Sequence, residues 1–252
     1  MWLGLRPYGP IHELQQRLVQ HRGAGALPDT VLLLEHEPVI TLGRNARPEN
    51  VLAEPDKLAA RGVTVVSTGR GGDVTYHGPG QLVGYPILDL QPDRCDTRRY
   101  VGSLCEVMIR IAGQHGVAAG TVEGMIGVWA DAAQPGRWTT ERAARRLVKI
   151  GAVGVRLSRW ISMHGFALNL HTDMRAYDAI IPCGIKSHGV ASVASLTARP
   201  AAELAAGPIA LASAPQLAAG LALEVSPVED LSAVATDALE QALLGYGGPP
   251  LR

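Results

Sequence analysis

One thiol and one amine stand out by residue type and setting. Cys183 lies in Ile180-Ile181-Pro182-Cys183-Gly184-Ile185, and Lys149 lies in the apolar run Leu147-Val148-Lys149-Ile150-Gly151. Proline before the cysteine fixes φ, and glycine after it leaves the thiol uncrowded, so the frame presents a side chain at a turn. The other two cysteines lack such a frame. Cys105 falls within a helical pattern and reads as a core residue, and Cys95 lies in a polar loop beside Arg94 and Asp96. A lone cysteine is more often an inert structural residue than a reactive one, so Cys183 needs a partner.

Lys149 is a candidate for that partner. The chain has 20 arginines and three lysines, Lys57, Lys149 and Lys186. A charge in an apolar strand is costly unless it is paired or neutralised. Lysine releases its proton when desolvated, whereas arginine does not. Two readings of Lys149 stand side by side at this point: acid–base work, or a side chain snorkelling from a strand edge. A thiol beside a lysine forms a workable nucleophilic pair. As a cation the lysine raises the thiolate fraction; as a neutral amine it accepts the thiol proton.

A second group of residues forms a glycine-dense loop, Arg70-Gly71-Gly72-Asp73-Val74-Thr75-Tyr76-His77-Gly78-Pro79-Gly80-Gln81. Glycine lets backbone approach a ligand closely, Arg70 suits a phosphate or carboxylate, and His77 donates, accepts or titrates. A tight turn between strands explains the same composition. The loop is not a dinucleotide fingerprint, because Pro79 interrupts it and no helix follows. Gly184-Ile185-Lys186-Ser187 is not a phosphate-binding loop, because Ile stands where Lys is required.

These residues need a scaffold. Hydrophobic residues make up 47% and charged residues 18% of 252, with a formal net charge of zero, an ordinary globular composition that builds no global field for nucleic acid or an anionic membrane. Met1–Pro10 has no basic segment leading into an apolar one, no apolar run approaches the roughly 18 residues of a membrane span, and the cysteines form neither a disulfide framework nor a zinc pattern. The expectation is a cytoplasmic protein without metal. Helical spacing predicts helices at Ile11–Arg22 and Thr97–His115, and an amphipathic one at Glu229–Leu244. Apolar and β-branched runs predict strands at Val31–Glu35, Val39–Leu42, Val63–Ser67, Leu82–Leu88, Val117–Val122, Ile126–Asp131, Leu147–Leu157 and Met163–Leu170. The last two form a pair around Ser158–Trp160. Gly69–Gly80 is read as loop, and Ala201–Leu221 as Ala-rich with prolines. Without regular strand–helix alternation, the fold class is α+β, a mixed or antiparallel sheet packed with helices. The chain reads as one domain over 1–252, with a helical C-terminal extension from about 200.

Five stretches in order resemble the lipoyl(octanoyl) transferase family: Glu35–Arg44, the loop Arg70–Gln81, Lys149–Arg156, His164-Gly165-Phe166-Ala167-Leu168-Asn169-Leu170, and Ile181–Ile185. They span roughly residues 30 to 195. Glu37 is a small departure, since the family often has proline there, and nothing distinctive matches from Ala201 onward. The resemblance implies a fold similar to the catalytic domain of biotin and lipoate protein ligases. It implies transfer of an octanoyl or lipoyl group from acyl carrier protein to a lysine of lipoyl domains, in 2-oxo acid dehydrogenases or a glycine-cleavage protein. It places the family's catalytic cysteine on Cys183 and its lysine on Lys149. Acyl contacts fall on Arg70, Gly71, Gly72, Asp73, Val74, Thr75, Tyr76 and His77, on Ala152, Val153 and Gly154, and on Gly165, Phe166 and Ala167. No cofactor, nucleic acid or membrane is implied.

On that basis His77 orients the acyl carbonyl or the acceptor amine, or is structural. Arg137, Arg142, Arg145 and Arg146 form a basic stretch before Lys149, read as a carrier-docking patch or as a solvated face. Alternatives to the transferase are an ATP-dependent lipoate or biotin ligase of the same fold, a non-catalytic module holding a lipoyl domain or acyl chain, and a thioesterase.

Overall fold

The computed structural model describes residues 1–184 and 187–221, with only the backbone of Cys183 and Gln216. The expected helix at Glu229–Leu244 lies outside these residues. The strands are β1 Trp2–Arg6, β2 Thr30–His36, β3 Val39–Leu42, β4 Thr64–Ser67, β5 Val74–His77, β6 Gln81–Ile87, β7 Ala119–Val122, β8 Met125–Asp131, β9 Leu147–Ser158, β10 Ile161–Asn169 and β11 Gly189–Val190. The helices are α1 Tyr8–Gly23, α2 Pro55–Ala60, α3 Thr97–Gln114, α4 Val193–Thr197, α5 Ala206–Ala212 and α6 Ala214–Leu221. The α+β class stands.

The strands form two sheets. The larger runs β1-β2-β6-β10-β9-β8-β7, with β11 beside β9. The β1–β2 and β9–β11 pairs are parallel and the others antiparallel. The smaller sheet is β4-β3-β5. Its strand β5 corrects the sequence expectation, which left Val74–His77 inside a loop. Val74-Thr75-Tyr76 has strand-forming residues, and pairing with β3 overrides the flanking glycines. Strand β1 was also unforeseen; its short pattern gives little signal, and it is held by parallel pairing to β2.

Alternating side chains of the large sheet feed two cores. Leu32, Leu34, Val83, Tyr85 and Ala167 pack with Ile11, Leu14 and Leu18 of α1. Leu33, Leu82, Phe166 and Leu168 pack with Leu104, Val107, Met108 and Ile111 of α3, and with Ile209 and Leu217 of α5 and α6. The α3 helix starts where its period demands: Asp96 caps it, its carboxylate accepting from Arg98 N and Arg99 N. A third, smaller core joins Ile40, Val74 and Tyr76 to Tyr177, Ala179 and Ile180. Among the described residues no helix is long and apolar enough to cross a membrane.

Candidate active site

The β9–β10 ribbon forms the floor of a cleft. Gly154 pairs with Gly165 and Ala152 with Ala167, so small residues two apart share one face. Val153 and Phe166 between them also line the cleft, and they pack with the α3 core. Backbone, hydrogen and methyl make up most of the rest of the floor. Lining the rest are Arg70, Gly72, Thr75 and His77, with Tyr8, Tyr85 and His164. Residues from all three of these sequence stretches line one cleft, but not every residue of them does. Gly71, Asp73, Val74 and Tyr76 are not among the described lining residues.

Their contacts show what they do instead. Gly71 N donates to Val155 O at 2.9 Å, tying the loop to β9. A Cβ on Gly154 would stand 3.0 Å from Gly71 O, so a larger residue there would press the loop away from β9. Val74 and Tyr76 are buried in the small core. Asp73 accepts from Arg47 N and from the Asn50 amide. Arg70 clamps the loop: its Nη2 donates to Thr41 O, Thr41 Oγ1 and Asp73 O, its Nε to Thr41 Oγ1, and its Nη1 to Gly71 O. Hydrogen bonds from a guanidinium are worth about 1.5–3 kcal/mol each, so this side chain rigidifies the cleft wall.

Three histidines cluster around the cleft as neutral rings. Burial lowers His77 to about 3, helped by the charge of a protonated His36. Burial lowers His36 to about 4 and His164 to about 3, the latter helped by His12. Protonating His77 at pH 7 therefore costs roughly 5 kcal/mol. His36 bridges Arg6 O and the Tyr85 hydroxyl. Tyr8 stacks on His77 and His12 stacks on His164. His164 has φ 60°, and its buried Nε2 has no partner among the described residues. Tyr8, Tyr85 and His164 were missed as lining residues. His164 belongs to the quoted stretch His164–Leu170, and alternation alone would turn it away from the cleft; its positive φ breaks that alternation. Tyr8 and Tyr85 carry no local signal.

Lys149 lies on β9, three residues before Ala152, and is not among the described lining residues. It is 6% exposed. Its Nζ donates to Ile126 O at 2.8 Å and sits 5.5 Å from the Trp129 ring centroid. Both partners come from β8, on which Trp129 lies opposite Lys149. So the lysine is buried and held rather than snorkelling to bulk water. Gly127, also on β8, makes room for it: with φ 133°, a Cβ there would stand 2.5 Å from Lys149 Cε and from Gly151 O. Sequence reasoning did not single out Gly127.

The Pro182–Gly184 stretch is a 3-10 turn. Ile181 N donates to Asn50 O, and Asn50 bonds Asp73, so the turn is linked to the glycine loop. Downstream, β11 returns to β9 with Val190 opposite Lys149, and Ala191 N donates to Lys149 O. The chain that carries Cys183 is thus linked through Asn50 to the glycine loop before it and to the lysine strand after it. The other cysteines are occupied. Cys105 is 3% exposed and burial raises its thiol pKa, while Cys95 Sγ donates to Leu90 O.

Residues 8–205 match the lipoyl protein ligase A/B catalytic domain. A protein named Octanoyltransferase from Chloroflexus aggregans is 45% identical over 193 residues, 76% of this chain and 81% of that protein. One of the same name from Acidobacterium capsulatum is 48% identical over 198 residues, 76% of this chain and 77% of its own. Among solved structures, lipoate-protein ligase A bound with ATP superposes with TM-score 0.63 at 14% identity, covering 96% of this chain and 93% of that one. The bi-partite lipoate protein ligase of Thermoplasma acidophilum gives 0.60 at 14%, covering 96% and 93%. The structural likeness carries the fold and the sequence likeness carries the family: the chain belongs to the lipoyl(octanoyl) transferase family of acyltransferases.

Proposed function

We propose that this enzyme moves an octanoyl group from the thioester of acyl carrier protein to a lysine of a lipoyl domain, through an acyl thioester on Cys183. The observation that carries the proposal is the convergence on β9. One strand holds both the buried Lys149 and the small-residue floor, and the chain leaving Cys183 pairs with it. The thiolate attacks the carrier thioester, and the carrier thiol departs with a proton. The acceptor amine then attacks the Cys183 thioester, giving an amide and regenerating the thiol. Lys149 moves the protons or stabilises the thiolate. The alkyl chain lies on the Ala152–Gly154 and Gly165–Ala167 floor, between backbone and the Tyr8–His77 wall. Thioester to amide is downhill, so no nucleotide, cofactor or metal enters, and the reaction belongs to the cytoplasm. Acceptors are the lipoyl domains of 2-oxo acid dehydrogenases and the glycine-cleavage protein.

Intact-mass spectrometry tests this. Incubation with octanoyl-acyl carrier protein, without ATP, is expected to add one octanoyl group, labile to hydroxylamine and mapping to the peptide that carries Cys183. An ATP requirement, or an adduct on another residue, would return the chain to the ligase or binding-module alternatives. A hydrolysed adduct that never reaches a lipoyl domain would make it a thioesterase.

The donor's docking face is proposed from charge. Arg137, Arg142, Arg145 and Arg146 are exposed, and none forms an ion pair among the described residues. Arg145 and Arg146 are fixed by backbone bonds to the Asp131 carboxylate immediately before β9. An acidic carrier is drawn to such a patch. Charge reversal at Arg142 and Arg145 is expected to lower the association rate about tenfold at low salt and flatten its salt dependence, measured by stopped flow. An unchanged rate and salt slope would leave the patch a solvated face.

A further inference from the structure

Hydrogen bonds around His77 determine which ring nitrogen carries the proton. The Tyr76 carbonyl oxygen only accepts, and it lies 3.1 Å from one end of the Gln81 amide, which must be the NH2 end. A second anchor agrees. The Ala191 carbonyl faces the Asn169 NH2 at 3.2 Å, which turns Asn169 Oδ1 toward the same Gln81 Nε2 at 2.9 Å. Gln81 Oε1 is therefore directed at His77 Nδ1, 2.7 Å away, and needs a donor there. Nδ1 carries the proton, and in a neutral ring Nε2 keeps a lone pair. The ring is part of the cleft lining. Among the described residues no group is bonded to its Nε2. Burial and the surrounding His36, Arg70 and His164 keep the ring neutral.

We propose that His77 Nε2 accepts an N–H of the incoming amine and holds it for attack on the acyl thioester, with Gln81 and Asn169 as positioning residues. This rests on the Cys183 acyl-enzyme described above and names the side chain that serves its second half. A lone pair cannot donate, so His77 has no part in holding the acyl carbonyl oxygen. In the step, the N–C bond forms and the C–S bond to Cys183 breaks. The proton lost by the amine ends on the Cys183 sulfur or on Lys149, and the imidazole is unchanged.

The two half-reactions separate the roles. His77→Phe keeps a ring against Tyr8 and removes the acceptor. Because His77 also walls the alkyl chain, acyl-enzyme formation, followed by intact mass, is expected to fall as well, but by far less than the second half. Aminolysis of the isolated acyl-enzyme by a lipoyl domain is expected to fall about 100-fold, so the adduct accumulates. Gln81→Leu, which releases the tautomer, is expected to lose aminolysis selectively. Equal losses in both halves, or no loss in the second, overturn the proposal. If a variant does not fold, 15N NMR of the histidine-labelled parent decides: His77 must show a protonated Nδ1 and a pyridine-like Nε2, and the opposite tautomer overturns it. A parent that never acylates removes the acyl-enzyme reading itself, an outcome distinct from an acylating parent whose aminolysis ignores His77.

Discussion

Cys183→Ala is expected to abolish transfer, lowering turnover by about 10^4-fold or more while leaving the melting temperature nearly unchanged. No other thiol can take over. Cys105 lies on the buried face of α3 with its thiol turned to Gly127 O of β8 and its pKa raised by burial, and a thiol held protonated is a poor nucleophile. Cys95 is tied to the Leu90 carbonyl. Cys183 sits at the Pro-Cys-Gly turn. Octanoyl transfer to a lipoyl domain, followed by mass, is the measurement. Residual turnover above about 1% of the parent, with no adduct, would mean direct attack of the amine on the carrier thioester, and Cys183 would lose its role.

Lys149→Ala is expected to slow acyl-enzyme formation about 100- to 1,000-fold near pH 7, with partial recovery toward pH 9 and above. The recovery has a direct cause. A free thiol ionises near pH 8.5, so alkali supplies the thiolate that the lysine no longer stabilises. The loss is not purely chemical, because Ile126 O loses its donor and Trp129 its neighbouring amine. Thermal unfolding must therefore be followed in parallel, and a shift of a few degrees is compatible with the assignment. Rates that match the parent at pH 7 would sink the proposed partnership. Rates that stay low at every pH point to the lysine as a proton carrier in both halves rather than a charge beside the thiol.

Much of the scaffold could be read in advance because its signals are local. The periods of α1 and α3, the β-branched runs of β2, β3 and β9, and the Pro-Cys-Gly frame are all written in consecutive residues. What escaped depends on partners far away in sequence. Strand β5 hid among glycines, and only β3 reveals it. Tyr8 and Tyr85 reach the cleft from an N-terminal helix and a central strand, which no spacing rule connects. His164 faces the cleft because its φ of 60° breaks the strand's alternation, a property of backbone rather than of residue type. Arg70 looked like a ligand for phosphate or carboxylate; its donors instead go to Thr41, Gly71 and Asp73, acceptors that folding brings to it.

The β9–β10 floor bears on how substrate preference can drift. Ala152, Gly154, Gly165 and Ala167 are already among the smallest residues available. Apart from trimming a methyl at the two alanines, every replacement there adds bulk. At Gly165 the added atom would meet Gly84 O at 2.2 Å, and at Gly154 it would press on Gly71 and Arg70. Natural variation on this face can thus shorten the slot but scarcely lengthen it. Changes toward longer chains must arise elsewhere, at the Tyr8, Tyr85 and His164 wall, where large side chains can still be made smaller.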